Sequence, residues 1–400
     1  MLILGVFMTF NANKDKAIAG KSAMVAFDPV KSLSAYQRNE VLDELIKIKG
    51  FENFITDSEI TEIVVNRPYE IWTEGSSGWI KHIAPDLTLE SLEQFASVFA
   101  NFNNQTINKE NPICSGSLPN GQRGQIVQEP ACQKDTMSIV IRRPSETRFT
   151  LDDYINSGRL NDWIDVSNFI PENTIVTNAV FEKIKKEQEE IEYLNKKLGI
   201  PKGINLELFE LQMLQAKADR DIDKFIRIGV ANKQNFCLIG GTGSGKTTFT
   251  KSIVDLVPHE TRIITIEDAP ELDLPYHDNK VHLFFSDKVS AKSLLKSCMR
   301  MKPDRIFLTE LRGEESFDYM MALNTGHAGS VTTTHANSCK LAYHRVANLI
   351  KQTEIGQKLD YDFILKDVYT TLDVVISLSK TYIKEVAFDP IRKYEIFQTK

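Results

Sequence analysis

Apolar positions in the first part of the chain change repeatedly between a helical and a strand period. The segments YQRNEVLDELIKIK, which Gly50 ends, and LTLESLEQFASVFANFN repeat apolar residues at helical spacing. Short β-rich runs, broken by Pro68 and by the Gly-Ser-Ser-Gly turn after Glu74, are EITEIVVN, YEIWTE, SGWIKHI, RGQIVQEP and TMSIVIRRPS. This mixture predicts an α+β domain over residues 36–170, preceded by an N-terminal tail, residues 1–35.

Residues 171–230 are mainly helical in pattern. One predicted helix, FEKIKKEQEEIEYLNKKLG, carries its apolar residues on one face: Phe181, Ile184, Ile191, Leu194 and Leu198. A second helical stretch, NLELFELQMLQAKADRDIDKFIRIGVAN, follows it. We predict a helical linker. A helical insertion packed within one domain is the alternative, whereas the pattern lasts too few heptads for a coiled coil.

Residues 231–400 alternate short apolar runs with amphipathic helices. The predicted strands include NFCLI, RIITI, DRIFLT and GSVTTT. This alternation is typical of an α/β domain whose mostly parallel sheet is covered by helices on both faces.

The strand NFCLI leads into a glycine-rich loop and then into the helix TFTKSIVDLV. The loop fits the G-x-x-x-x-G-K-[ST] pattern of a phosphate-binding loop in the required strand–loop–helix context. Glycines allow backbone N–H groups to approach phosphates, and the helix N-terminus adds positive potential. Lys246 can reach the β- and γ-phosphates of ATP, and the Thr247 hydroxyl can bind Mg²⁺. The predicted nucleotide-binding residues are Gly240, Gly241, Thr242, Gly243, Ser244, Gly245, Lys246, Thr247 and Thr248.

Charged residues follow the other predicted strands. They are Glu267, Asp268 and Glu271 after RIITI, Glu310 and Arg312 after DRIFLT, and His335 after GSVTTT. Because ligands of open α/β sheets lie beyond the carboxyl ends of the strands, we expect these side chains to face the phosphates. Any one of them is equally explained as a polar residue leaving a strand, but several at one edge favour a catalytic site.

The glutamate after DRIFLT bears on the class of nucleotide-binding protein. Small-molecule kinases and switch GTPases usually lack a glutamate general base, whereas ring-forming motor ATPases insert a strand and carry such a glutamate. Glu310 fits this role because its carboxylate can orient the attacking water for in-line displacement. Glu267 can hold the magnesium–water shell or share the role of base.

Four segments, in this order, resemble the motif boxes of secretion ATPases: GGTGSGKTT, IEDAPEL, CMRMKPDRIFLTELRGEES and LNTGHAGSVTTTHANS. Within that family the chain is most similar to the VirB-type ATPases of type IV secretion and conjugation systems. SEITEIVVNRPYEIWTEGSSGW and LPNGQRGQIVQEPAC resemble their N-terminal domain, and the tetracysteine segment typical of type II secretion ATPases is absent from the sequence. The resemblance covers residues 50–170 and 225–385.

The resemblance implies a RecA-like ATPase domain in a homohexamer, peripheral at the cytoplasmic face of the inner membrane. ATP hydrolysis would move the N-terminal domains and power pilus assembly or substrate transfer. The implied partners are other ATPases and inner-membrane channel proteins of the system, and sequence-specific nucleic-acid binding is not expected. An ATPase of a type IV pilus or of type II secretion is the alternative within the family.

The resemblance also implies roles for residues outside the phosphate loop. The N-terminal domain is expected to supply two arginines to the phosphates, which match Arg123 and Arg142, with Arg143 as an alternative to Arg142. His335 is expected to sense the γ-phosphate or to bond Glu310, or else to be satisfied within its own loop, and His327 is expected to be structural.

Two features depart from usual patterns. The second nucleotide motif commonly ends in an aspartate that binds Mg²⁺ through water. This chain has Glu310 there, which matches the pattern of the secretion ATPases, so the sequence does not determine which residues complete the magnesium shell. The helical stretch over residues 181–224 is also longer than in some family members.

Composition narrows the alternatives. With 48 Lys+Arg against 54 Asp+Glu, the formal net charge of −6 argues against a helicase-like motor that grips a phosphate backbone. A nucleotide-gated scaffold without turnover is a further alternative.

The 5 cysteines include no C-x-x-C pair, so we expect reduced thiols. No apolar run approaches the roughly 20 residues of a membrane span, and MLILGVFMTF lacks the basic start of a signal peptide.

Overall fold

A computed structural model describes residues 35–143, 150–158, 160 and 178–398. The predicted tail therefore lies outside the described residues apart from Ala35, as do the side chains of Phe181 and Ile184. Within the described ranges, no helix combines the length and the apolar character that a bilayer crossing requires.

The helices that the structure describes are α1 (Ala35–Ile48), α2 (Glu52–Thr56), α3 (Leu89–Phe102), α4 (Leu151–Asn156), α5 (Asn178–Leu198), α6 (Leu208–Ala218), α7 (Ile222–Ala231), α8 (Lys246–Val254), α9 (Ala291–Cys298), α10 (Glu315–Asn324), α11 (Cys339–Gln352), α12 (Tyr361–Thr371) and α13 (Pro390–Gln398). The strands are β1 (Ile60–Val65), β2 (Glu70–Gly75), β3 (Gly78–Ile83), β4 (Ile113–Ser117), β5 (Arg123–Gln128), β6 (Met137–Arg142), β7 (Phe236–Ile239), β8 (Ile263–Glu267), β9 (Lys280–Phe284), β10 (Arg305–Leu308), β11 (Val331–Thr334), β12 (Val374–Ser379) and β13 (Tyr382–Ala387).

The first six strands form one antiparallel sheet in the order β3-β2-β1-β6-β5-β4. Side chains alternate between the two faces of a strand, and both faces of this sheet are buried. One face packs with α1 and α3 through Ile63, Val65, Ile71, Ile126, Ile139 and Ile141. The other contributes Val64, Trp72, Val127 and Val140 to a core shared with the second sheet. The α+β prediction for this region is confirmed.

The remaining strands form the predicted, mostly parallel sheet. Its two ladders have the orders β10-β8-β9 and β11-β7-β12-β13, and only β13 runs antiparallel to its neighbour. The ladders meet where the Leu311 N–H donates to the Thr333 carbonyl over 2.8 Å. Strand β11 therefore separates β7 from β10, which is the strand insertion expected of ring-forming motor ATPases.

The segment predicted as one helical stretch after residue 204 consists of two helices, α6 and α7. Arg220 has φ 60°, and the Asp221 side chain accepts the Lys224 N–H over 3.0 Å, so the chain turns and starts a new helix. Both helices bury side chains, including Met213 and Phe225, in the core of the second sheet. The structure thus packs α6 and α7 within one domain, the alternative to a free linker.

The N-terminal sheet docks against β9 through backbone and side-chain hydrogen bonds. The Phe284 N–H donates to the Ala131 carbonyl over 2.9 Å, and the Gln133 N–H donates to the His282 carbonyl over 3.1 Å. At the other end of β9, Asn66 donates to the Asn279 side chain over 3.0 Å. The loop between β5 and β6 therefore extends the edge of the ATPase sheet.

A buried arginine joins the two domains beside this edge. Arg262 is 0% exposed, and its guanidinium donates to Asn66 over 2.8 Å and to the Met301 carbonyl over 3.0 Å. It also lies 5.5 Å from the centre of the Trp79 ring. A buried charge needs such hydrogen-bond partners, and Asn66 supplies one of them from the N-terminal domain.

Candidate active site

The phosphate loop is wound tightly between β7 and α8. Gly240 has φ 146°, and a Cβ there would lie 2.4 Å from the Leu378 carbonyl oxygen. Gly245 has φ 91°, and its Cβ would meet the Thr381 side chain at 3.0 Å. The Thr381 N–H also donates to the Ser244 carbonyl over 2.9 Å. The turn between β12 and β13 thus supports the loop, and only glycine fits at both positions.

Lys246 begins α8 and spans the loop. Its Nζ donates to the carbonyls of Gly240 over 2.8 Å and of Gly241 over 3.1 Å. Partial burial lowers the pKa of Lys246, while the carboxylates of Glu310 and Glu271 act to raise this pKa. Lysine, loop and two acids are therefore gathered at one end of the sheet, as the sequence predicts.

Thr247, the predicted magnesium residue, contacts an acid that follows β8. Its hydroxyl donates to Glu271 Oε2 over 2.9 Å. A hydroxyl and a carboxylate are oxygen ligands of the kind that Mg²⁺ prefers. The pair therefore fits the magnesium ion that phosphate loops bind.

Glu267 does not lie where a general base or a holder of the magnesium–water shell, the two roles predicted for it, would have to lie. It is 1% exposed, and its Oε1 accepts the Thr265 hydroxyl over 2.6 Å. Its Oε2 accepts the N–H groups of Glu271 over 2.9 Å and of Leu272 over 2.8 Å. Because this carboxylate is buried and both of its oxygens accept hydrogen bonds from protein groups, the structure does not support Glu267 as base or as metal ligand, whereas the Glu310 side chain is 19% exposed.

Glu310 forms a charged cluster with residues from the neighbouring strand ends. The Arg312 guanidinium lies 2.7 Å from Glu310 Oε2 and 2.8 Å from the Asp268 carboxylate. His335 Nε2 lies 3.3 Å from Glu310 Oε1. The hydrogen bond to Glu310 raises the pKa of Arg312, so the arginine stays charged. The structure thus brings Asp268, Glu310, Arg312 and His335 together.

An open groove of about 340 Å³ runs from the phosphate loop along α11. It is lined by Gly240, Gly241, His335, Ala336, Asn337, Leu341, His344, Arg345 and Asn348. Thr242 and Gly243 are exposed on the loop beside it, and Thr248 is exposed on the first turn of α8. His327 is not among the lining residues, and its ring lies 3.2 Å from the Pro303 carbonyl.

The two arginines of the N-terminal domain line another cleft. Arg123 and Arg142 are cross-strand neighbours on β5 and β6 and face a cleft of about 510 Å³. Its lining is Ser115, Gly116, Ser117, Arg123, Gly124, Gln125, Arg142, Met299 and Arg300, so it shares no residue with the groove at the phosphate loop. Arg143 instead donates to the Asp57 carbonyl. The structure does not bring these arginines to the phosphate loop of the same chain.

Sequence reasoning missed two residues that support the site. Thr381 braces the phosphate loop from a turn that no motif marks, and His282 contacts Glu267 from β9, which was not predicted as a strand. The only local signal at Thr381 is its place in a hairpin turn, where φ is 68°. Contacts of this kind link distant segments and leave no pattern in the sequence.

Comparison with known proteins assigns the chain to a family. The family model described as "Type II/IV secretion system protein" matches residues 199–381, a range that includes α6 and α7. The type IV secretion system protein VirB11 of Brucella suis is 36% identical over 355 residues, which are 85% of this chain and 88% of that protein. VirB11 of Bartonella henselae is 35% identical over 363 residues, covering 88% and 95% of the two chains.

A solved structure agrees with these relatives. The crystal structure of the VirB11 ATPase from the Brucella suis type IV secretion system, in complex with sulphate, matches with a TM-score of 0.76 and 35% identity. The match covers 91% of this chain and 99% of that chain. The similarity spans both sheets, the phosphate loop and the acidic cluster, and the chain therefore belongs to the VirB11 ATPases of type IV secretion systems.

Proposed function

We propose that the chain works as a homohexameric motor that turns ATP hydrolysis into movement for pilus biogenesis or substrate translocation. It would act peripherally at the cytoplasmic face of the inner membrane, with other ATPases and inner-membrane channel proteins of the secretion system as partners. Membership of the VirB11 family supports a role in a type IV secretion system. The inserted strand β11, together with Glu310, supports a ring-forming motor.

In the proposed reaction, Glu310 holds the attacking water. The water oxygen bonds to the γ-phosphorus, its proton passes to the Glu310 carboxylate, and the bond to the β-phosphate oxygen breaks to release ADP. Arg312 at 2.7 Å and His335 at 3.3 Å support this role because they fix the orientation of the carboxylate. Lys246 would stabilise the negative charge on the transferring group.

Magnesium is the proposed metal, held through Thr247 and Glu271. Their contact of 2.9 Å supports this assignment. The bound ion would neutralise charge on the β- and γ-phosphates. Glu267 would support this site indirectly, because its carboxylate accepts backbone N–H groups of the segment that carries Glu271 and so fixes the position of that segment.

Replacement of Glu271 by glutamine is expected to raise the Mg²⁺ concentration for half-maximal ATP turnover by about tenfold, the lower end for loss of a residue that supports a metal site. The neutral amide loses the charge attraction to the ion. ATPase rates across a Mg²⁺ titration provide the measurement. Glu260→Gln, an exposed acid before β8, is the control. An unchanged Mg²⁺ dependence in Glu271→Gln would remove this residue from the metal site.

The position of the arginine cleft, apart from the phosphate loop, is the observation that best supports assembly of the chain into a ring. Among the described residues Arg123 forms no ion pair, and Arg142 pairs only with Glu62, at 3.3 Å. Exposed guanidinium groups away from the phosphate loop of their own chain are suited to phosphates held by a neighbouring subunit. Ring assembly would then complete each catalytic site.

ATP turnover per chain, measured over a wide range of protein concentration, tests this proposal. We expect the rate per chain to rise with concentration, and Arg123→Ala to suppress the rise by about 100-fold, as loss of a transition-state donor does. Arg227→Ala is the control, since Arg227 is exposed and pairs with Asp223 on its own helix. A rate per chain that does not change with protein concentration or with Arg123→Ala would mean that one chain contains the whole catalytic site. That result would overturn the assignment of Arg123.

A further inference from the structure

His282 is a largely buried histidine between the two domains that the proposed reaction does not use. It lies in β9, and its side chain is 10% exposed. Its Nδ1 lies 2.9 Å from the Thr265 hydroxyl oxygen and 3.2 Å from Glu267 Oε1. Because the Thr265 hydroxyl donates its hydrogen to Glu267, both oxygens act as acceptors, and His282 Nδ1 must be the donor.

The backbone of the same residue touches the N-terminal domain. The His282 carbonyl accepts the Gln133 N–H over 3.1 Å. Of the two residues that follow it, Leu283 forms a bridge with Cys132, and the Phe284 N–H donates to the Ala131 carbonyl. His282 thus lies where the loop between β5 and β6 joins the edge of the ATPase sheet.

From the imidazole, a continuous chain of contacts leads to the phosphate loop. Glu267 accepts the His282 contact on one oxygen and the Glu271 N–H on the other, over 2.9 Å. Glu271 then accepts the Thr247 hydroxyl over 2.9 Å. Rotation of the Glu267 carboxylate would release the Glu271 backbone, and the imidazole opposes that rotation together with the Thr265 hydroxyl, which donates to the same oxygen over 2.6 Å.

We propose that His282 is a positioning residue that couples docking of the N-terminal domain on β9 to the placement of Glu271 beside Thr247. The inference rests on the proposed magnesium role of Thr247 and Glu271. When the loop at Gln133 is seated, β9 holds the imidazole against Glu267, and the metal site is formed. When the loop leaves, β9 loses this restraint and the affinity for Mg²⁺–nucleotide falls.

Two pairs of variants test the proposal at its two ends. His282→Leu removes the ring donor, whereas His282→Asn keeps an amide N–H at the position of Nδ1. Gln133→Pro removes the backbone donor to His282, whereas Gln133→Ala retains it. The readout is binding of a fluorescent, non-hydrolysable ATP analogue to the full chain during a Mg²⁺ titration, with thermal unfolding measured in parallel.

We expect His282→Leu and Gln133→Pro to raise the Mg²⁺ concentration for half-maximal binding by at least about fivefold, the lower end of typical couplings between sites. His282→Asn and Gln133→Ala should remain near wild type. Binding without Mg²⁺ should be unchanged. His277→Gln, at a second buried histidine that contacts the Val257 carbonyl, should lower thermal stability without this shift.

Combination with Glu271→Gln separates the inference from the function on which it rests. If His282 acts through Glu271, His282→Leu adds little to the shift that Glu271→Gln already causes. If Glu271→Gln shifts the Mg²⁺ concentration for half-maximal binding but His282→Leu and Gln133→Pro do not, the proposed coupling is wrong and the proposed metal site is retained. No shift in Glu271→Gln would overturn both. If His282→Leu fails to fold, the Gln133 pair decides.

Discussion

Lys246→Ala is expected to lower ATP turnover by about 100- to 1,000-fold, the usual cost of losing a donor to a developing negative charge. The lysine is the cation that spans the loop, with its Nζ on the carbonyls of Gly240 and Gly241. Without it, the loop loses its internal brace, and the β- and γ-phosphates lose their positive partner. Steady-state hydrolysis and nucleotide binding by calorimetry provide the measurements, and both should fall.

Lys251→Ala is the matched control for this experiment. Lys251 lies on the same helix, α8, and pairs with Asp273 at 2.7 Å, away from the loop carbonyls. Its loss should leave turnover within about twofold, since partly exposed ion pairs contribute little to stability. Turnover in Lys246→Ala that equals the wild-type rate would refute the assignment of the phosphate loop.

Glu310→Gln is expected to lower turnover by about 100- to 10,000-fold while ATP remains bound, because general-base catalysis typically contributes that much. The amide keeps the size of the side chain, and its carbonyl oxygen can still accept the Arg312 hydrogen bond, but it no longer takes the proton of the attacking water. Single-turnover hydrolysis with radiolabelled ATP, together with ATP retention on the purified protein, provides the measurement.

Glu314→Gln is the control, because Glu314 is an exposed acid four residues further along the chain. Hydrolysis that survives in Glu310→Gln would make another acid the base. Glu271 is then the next candidate, since Glu267 has both oxygens bound by protein groups. Turnover by the wild-type protein that Glu310→Gln abolishes, with ATP still bound, would also exclude the scaffold alternative.

Local signals account for the parts of the molecule that the sequence predicts. β1, β2, β5 and β6 are short β-rich runs with at least four consecutive buried residues, and α1 and α3 repeat apolar residues at helical spacing, so each element can be recognised from its own residues. Strand β13 has no such pattern, because it lies at the edge of the sheet and most of its side chains are partly or fully exposed. Whether α6 and α7 form a linker or pack within a domain stayed open in the sequence for a related reason, because an apolar helix face does not reveal which core covers it.

The phosphate loop, the fold class and the identity of the strand-end acids were determined by the sequence alone, because glycine spacing, strand–helix alternation and charge at strand ends are short-range properties. Only the tertiary structure decided that Glu271, and not Glu267, reaches Thr247, that Arg123 and Arg142 line a cleft apart from the phosphate loop, and that His282 joins the domains. These are contacts between segments far apart in the chain, and their geometry depends on how strands and domains pack.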